Sequence, residues 1–493
     1  MKKLSFVVVF AAGYLIMSLE LLGSRILAPY FGNSIYIWAV LIGLILAALT
    51  AGYYFGGFLA DKKNSEKNFL YIFLAASLFL LIDVFVYKAV LEGTAVWGII
   101  WGAAAAVSLL FLPVMIVLAA AAPLAVKLLA REEEVGLSSG SVYALGTAGS
   151  LLGIFLTVFW LIPYFGSRLA LFSCFFISLV VFSALLFWFG RKKEIILAIL
   201  SLAIALPALP KTILPKDVIL EAESIYNQIR LIDRQNAIYL TLNTNKLYLI
   251  NSAYIKRGTL FDFSLIDLFN LGPAIAPVKN LLILGMSGGA SIRQHQQFSP
   301  EMKIDAVEID PKIIEIAKNK FGIEEGDDLK IYEADARPFL AASRKKYEMI
   351  EIDLFQGSPY TPFYVLTQEF FQSAYSHLSD NGIVMMNIYA PAKHELLQPV
   401  LSTIASVFPS VYSVPVYGHN FVVVASRSPL GEQKIKSKIS GAKIPLELKP
   451  VGDYFLGYVE KYQNDKNAPV FTDDWAPIET ITYQMIKGVP ELN

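Results

Sequence analysis

The sequence predicts a multi-span α-helical membrane bundle, then a small antiparallel β domain, then a doubly wound α/β domain, and three observations predict it. Apolar residues make up 55% of the 493, too many for one soluble domain. The excess is concentrated before about Leu209, in stretches long enough to cross a bilayer. Beyond it the composition is globular, and NLLILGMSGGASIR at 280–293 runs an apolar strand into a glycine-rich turn. The predicted boundaries are 1–210 for the bundle, 211–272 for the β domain and 273–493 for the α/β domain.

Spans of about twenty residues can be placed near 4–29, 36–60, 68–91, 96–126, 140–164 and 168–190. A seventh apolar run, Ile195 to Leu209, is shorter and carries Pro207, so six to seven helices are expected. Lys2 and Lys3 precede the first span and no small-residue cleavage site follows it, which reads as an uncleaved anchor. Lys and Arg are richest at the N-terminus, in DKKNSEK, in KLLAREEE and in RKK, and the faces that carry them are expected in the cytoplasm. With the N-terminus cytoplasmic, six crossings keep the C-terminal half in the cytoplasm and a seventh puts it outside. Use of a metabolite made in the cytosol favours six.

Several ionisable residues interrupt the spans, among them Glu20 and Arg25 in the first, Asp83 and Lys88 in the third. Such groups cost energy in lipid, so they are expected to face the bundle interior, as ion pairs or as a polar site. The spacings Gly52-xxx-Gly56 and Gly149-xxx-Gly153 predict close helix contacts.

Residues 225–252 alternate and carry turn residues, which predicts the small antiparallel sheet. From Asn280 onward strands and helices alternate: NLLILG, ASIRQHQQF, KIDAVEID, PKIIEIAKNKF, LKIYEADA, ARPFLAAS, YEMIEIDLF, TQEFFQSAYSHL and GIVMMNIY. That order predicts a doubly wound parallel sheet whose ligand sits at the carboxyl ends of the strands. Gly285, Gly288 and Gly289 let the backbone turn tightly and approach a ligand. Glu308, Asp335 and Asp353 fall at three strand ends, where each can be a helix N-cap or a ligand-binding group. The spacing suits a nucleoside, with Glu308 on the ribose, Asp335 on the adenine and Asp353 facing the reacting end.

A net charge of zero gives no case for nucleic acid, and a lone cysteine, Cys174, excludes an intrachain disulfide or a cysteine metal cluster. The four histidines are too scattered for a metal site, so none is expected: His295 lies on a polar helix, His377 and His394 read as surface residues, and His419 precedes a strand. Asp473, Asp474 and Glu479 form an acidic C-terminal segment, either a lid over the site or a loop with a capped helix start.

In this order the motifs resemble the membrane-fused branch of the spermidine synthase family. The resemblance rests on ELLGSRILAPYFG, GYYFGGFLAD and VYALGTAGSLLG in the bundle, and on ESIYNQI, LGMSGGASIR, VEID, EADAR, IDLFQGSPYTPFYVLTQEFF and FTDDWAPIE beyond it. It implies a Rossmann-like domain that binds decarboxylated S-adenosylmethionine or S-adenosylmethionine as co-substrate, with no metal. Gly285, Ser287, Gly288 and Gly289 would surround its methionine portion, Glu308 its ribose, and Asp335 and Ala336 its adenine. Asp353 matches the acid that takes a proton from the attacking amine, and Asn227, Phe263, Gln356 and Tyr360 would line the acceptor. The implied enzyme is a membrane-bound polyamine aminopropyltransferase acting on an amine such as putrescine, and the family's soluble members imply a homo-oligomer.

The sequence departs from that pattern at several places. Ser287 stands where the family often has an Asp that grips the amine of the decarboxylated donor. Gln356 replaces a second acid, and Phe263 and Ser264 replace a Tyr-Gln pair. Fewer carboxylates suit a polycationic acceptor less well, and a Ser can hydrogen-bond to the carboxylate of the intact donor that an Asp would repel. Methyl or other alkyl transfer to a membrane-proximal acceptor is therefore the second expectation. A transporter or sensor with a nucleoside-binding domain is the third.

Overall fold

The computed structural model describes residues 2–62, 65–130, 135–206, 215–243, 250–261, 264–355, 360–390, 396–416, 419–463, 465 and 468–488. The chain divides into two compact units, Met1–Ile213 with Ala222–Tyr226, and Leu214–Glu221 with Asn227–Asn493.

The first unit is helical. Among the described residues five helices are long and apolar enough to cross a membrane: Lys2–Phe31, Ile35–Ala60, Asn68–Ala95, Leu112–Leu129 and Val135–Trp188. The fourth continues the helix Ile99–Leu110. The last, 54 residues long, holds both the fifth and the sixth expected spans, and its backbone leaves helical geometry at Gly166 (φ 76°, ψ 164°) between them. The described part of the seventh apolar run is the helix Ile195–Ala205.

Glycines set the packing of this unit. A Cβ on Gly149 would lie 2.0 Å from the carbonyl oxygen of Phe10, and one on Gly153 2.5 Å from that of Tyr14, so these helices touch backbone to backbone as their spacing predicts. Hydroxyls stitch the same seam, Thr157 Oγ1 donating to Ser18 Oγ at 3.0 Å. Gly52 and Gly56 meet the carbonyls of Ile116 and Ala120 in the same way, at 2.4 and 2.5 Å. Asp83 is buried as expected and Cys174 lies in the core, whereas Lys88 points outward. Lys127 pairs with Asp61 at 3.3 Å, which marks one end of the bundle. The turn at Gly166–Ser167 marks the other, and there Glu223 accepts hydrogen bonds from Ser167 N and Oγ at 2.9 and 2.5 Å.

A four-stranded sheet follows, β1 (Val218–Glu223, its last two residues counted with the first unit), β2 (Gln228–Asp233), β3 (Ala237–Leu242) and β4 (Ser252–Ile255) in that order. β2–β3 and β3–β4 are antiparallel. Four strands of this size cannot bury their own apolar face. Ile229, Leu231, Leu240 and Leu242 instead share a core with Ile313, Ile316 and Phe321 of the helix Pro311–Phe321.

The larger sheet contains β5 (Asn280–Leu284), β6 (Lys303–Glu308), β7 (Leu329–Glu333), β8 (Tyr347–Ile352), β9 (Leu378–Tyr389), β10 (Ser410–Val416), β11 (Asn420–Ser426) and β12 (Glu460–Lys461). Their order is β12-β10-β11-β9-β8-β5-β6-β7. β5 to β9 are parallel, and the four helices expected between them form at Ala290–Phe298, Pro311–Phe321, Ala336–Ala342 and Gln368–His377. The five strands expected to be parallel are so; β11, β10 and β12, beyond the strands ordered from the sequence, extend the sheet antiparallel beside β9. In a purely sequential reading the hairpin of β10 and β11 lacks the crossover helix that a parallel strand requires.

Candidate active site

Strand order reverses between β5 and β8, the place where open α/β sheets leave a crevice for a ligand. The glycine turn leaves β5 and Asp353 leaves β8, so the two features expected to meet the ligand face each other across that point. They are packed as backbone. Asp353 N donates to Leu284 O at 3.0 Å, and a Cβ on Gly285, whose φ is 88°, would sit 2.3 Å from Asp353 O. Only glycine fits there. Gly289, at φ 79°, caps the helix Ala290–Phe298, and a Cβ on Gly288 would strike the Phe321 ring at 2.3 Å.

Ser287 also adopts a left-handed backbone, φ 46°, which favours glycine or asparagine. Its N–H donates to Glu308 Oε2 at 3.0 Å, while its buried hydroxyl finds no hydrogen-bond partner among the described residues. The other Glu308 oxygen accepts from Asp310 N at 3.1 Å. Burial pushes the Glu308 carboxyl up to about 7. A carboxylate offers about four acceptor positions, so these two bonds orient Glu308 and leave room for a ribose.

Asp310 is buried, caps the helix Pro311–Phe321 through Lys312 N at 3.0 Å, and accepts from Asn227 Nδ2 at 2.9 Å. Asn227 in turn accepts from Asn243 Nδ2 at 2.7 Å. Asn227, expected at the acceptor, is thus tied to Asp310, two residues after Glu308. Asp335 Oδ1 accepts from Arg337 N at 2.9 Å as an N-cap, and Tyr364 donates to its Oδ2 at 3.3 Å. Ala336 is buried behind it, and Tyr360 is buried as well. Phe263, Gln356 and His394 lie outside the described residues.

Asp353 is half-buried, with Asn387 Nδ2 of β9 donating to Oδ1 at 2.8 Å. Burial pushes its carboxyl from 3.8 to about 6, Asn387 pulls it down, and the charge of Glu351 raises it further. Sequence reasoning missed Asn387, whose one signal was a lone polar letter in the apolar strand GIVMMNIY. It also misplaced one histidine, His377, and left the burial of another unread. His295 is fully buried and paired with Glu351, because the apolar sheet covers that face of an otherwise polar helix. His377, expected at the surface, is buried and bonds the carbonyls of Ser373 and Ser343 at 2.8 and 3.0 Å. His419 is exposed at the β10–β11 turn, its ring 6.4 Å from that of Tyr389. Asp473 pairs with Arg337 and accepts from Thr367 Oγ1 at 2.7 Å, ahead of the helix Ile478–Gly488.

A glycine turn, a buried acid at a strand end and a half-buried carboxylate thus meet at the switch point of a Rossmann-like mixed α/β sheet. More particularly, residues 268–437 match the family described as spermine/spermidine synthase domain. A probable polyamine aminopropyl transferase of Bifidobacterium longum is 35% identical over 195 residues, 38% of this chain and 42% of that protein. The chain thus spans less than half of that relative. Polyamine aminopropyltransferase 2 of Aquifex aeolicus is 24% identical over 439 residues, 84% of this chain and 85% of that protein. That match extends beyond the C-terminal half into the helical unit. The human eEF1A lysine and N-terminal methyltransferase is 30% identical over 168 residues, 31% of this chain and 24% of that protein.

Proposed function

We propose that the protein transfers an aminopropyl group from decarboxylated adenosylmethionine to an amine. The observation that carries this is Asp353, a carboxylate raised toward neutrality at the crevice, opposite a glycine turn backed by Glu308. The amine nitrogen attacks the propyl carbon beside the sulfonium, and the carbon–sulfur bond breaks with its electron pair going to sulfur. The proton lost from the new ammonium passes to Asp353. A base with a pKa near 6 is ionised at neutral pH and still basic enough to accept it. The cationic sulfur is already a good leaving group, so these residues suffice. Similarity to two polyamine aminopropyltransferases supports this reading. The test is release of methylthioadenosine from the decarboxylated donor by the full-length protein in detergent or nanodiscs, with Asp353→Asn as control. Donor binding without release in the presence of a panel of amines contradicts it.

A second reading, methyl transfer from the intact donor, is favoured by the Ser287 hydroxyl, which has no partner among the described residues, and by the human methyltransferase relative. Adenosylhomocysteine would be its product.

We further propose that the helical unit is embedded in a membrane. Five long apolar helices support this, as do exposed aromatics near helix ends, among them Trp97, Trp101, Trp160, Tyr164 and Trp188. A helix of 54 residues would extend about 80 Å, far beyond one bilayer, so Val135–Trp188 supplies two crossings that part at Gly166. The basic segments near Lys62, Lys127 and Arg191 then share the end marked by Asp61–Lys127, the cytoplasmic one by charge. Glu223 is tied to Ser167 at the opposite end, which calls for a seventh crossing that starts with the helix Ile195–Ala205. Of the two arrangements the sequence allows, we therefore propose the one in which the chain leaves the bundle outside the cytoplasm. An alkaline phosphatase fusion at the C-terminus would be active in that case; activity of a cytoplasmic reporter there overturns it.

A further inference from the structure

Beneath the crevice lies a cluster that the proposed chemistry does not use. Glu351 of β8 is 1% exposed; its Oε2 accepts from Ser291 Oγ at 2.6 Å and its Oε1 pairs with His295 Nε2. Ser291 and His295 are four residues apart, hence on one face of the helix Ala290–Phe298. That helix starts at Gly289, the last residue of the glycine turn. Glu351 lies two residues before Asp353, a spacing that turns both side chains to the same side of the chain. One buried carboxylate therefore ties the element that carries the glycine turn to the element that carries the base. A buried carboxylate is expensive to desolvate, and an apolar residue would serve a purely structural core at least as well.

Resting on the reading of Asp353 as base, we propose that Ser291, His295 and Glu351 are positioning residues that fix the gap between the glycine turn and Asp353. The groups facing Asp353 are Glu351 on its own strand and Asn387 from β9, while His295 reaches it only through Glu351. Misplacement by about 1 Å can cost about a hundredfold in rate. Glu351→Gln and the milder Ser291→Ala are expected to bind the donor within about threefold of wild type while kcat falls about tenfold or more. Ser291→Thr, which keeps the hydroxyl, is expected to restore kcat. Loss of the Glu351 charge should also move the acid limb of the rate profile to lower pH. Unchanged kcat and acid limb in both variants overturn the proposal, as does a fall in kcat that follows a lowered melting temperature. Should Asp353→Asn itself retain full turnover, the base assignment fails instead, so the two failures are distinguishable.

Discussion

Asp353→Asn should cost activity and add stability. The substitution keeps the shape and the hydrogen bond from Asn387, but removes the charge and the capacity to accept a proton. Loss of a general base lowers rates by about 10²–10⁴-fold. The folded carboxyl ionises near 6 against an ordinary 3.8. Because the folded value is raised, ionisation opposes folding: the penalty is absent below 3.8, grows between 3.8 and 6, and is complete above 6. Two pKa units correspond to at most about 3 kcal/mol, trimmed by the partial access of this carboxylate to solvent. The variant should therefore gain up to roughly that amount at pH 8 and about half as much at pH 5. Denaturation at the two pH values, donor titration by calorimetry and turnover together form the assay. Turnover within tenfold of wild type would refute the role of Asp353. Equal stability of variant and wild type at pH 8 would refute the strained-carboxylate argument.

Asn387→Leu removes the hydrogen bond that favours ionised Asp353, so its acid limb should move to higher pH, opposite in sign to Glu351→Gln; rate–pH profiles of the pair check this. Donor affinity should weaken as pH falls through about 7, where Glu308 gains a proton, and Glu308→Gln should flatten that dependence in calorimetry. Gly285→Ala combines φ 88° with a 2.3 Å clash against Asp353 O, and is expected to cost 2 kcal/mol or more by order of magnitude, read by thermal melts. In the helical unit, Gly149→Val places its Cβ 2.0 Å from Phe10 O and should abolish a monodisperse detergent-solubilised protein in gel filtration.

The parts of the site that declare themselves in sequence are those with local causes. The glycine turn, the strand-end acids and the helices between β5 and β9 follow from turn geometry, period and capping, and the structure brings Gly285, Glu308 and Asp353 to the one crevice. What stayed hidden depends on pairing across the sheet. Asn387 reaches Asp353 only because β9 lies beside β8, and Glu351 meets Ser291 and His295 only once the helix docks. The antiparallel arm of β10 to β12 was hidden because NFVVVAS has the same composition whichever way it runs. His377 read as a surface residue and its ring bonds Ser343, while His295 read only as part of a polar helix and its burial comes from a neighbouring strand. Asp335 shows the converse: its capping of Ala336–Ala342 was legible as one of two options and is observed.

The central claim is the identity of the transferred group, and mass spectrometry of the acceptor tests it most directly. The full-length protein, given each donor with putrescine and related amines, should yield an acceptor enlarged by an aminopropyl group from the decarboxylated donor, with methylthioadenosine as co-product. A methylated acceptor formed from the intact donor, with adenosylhomocysteine and no aminopropyl product, would contradict the account.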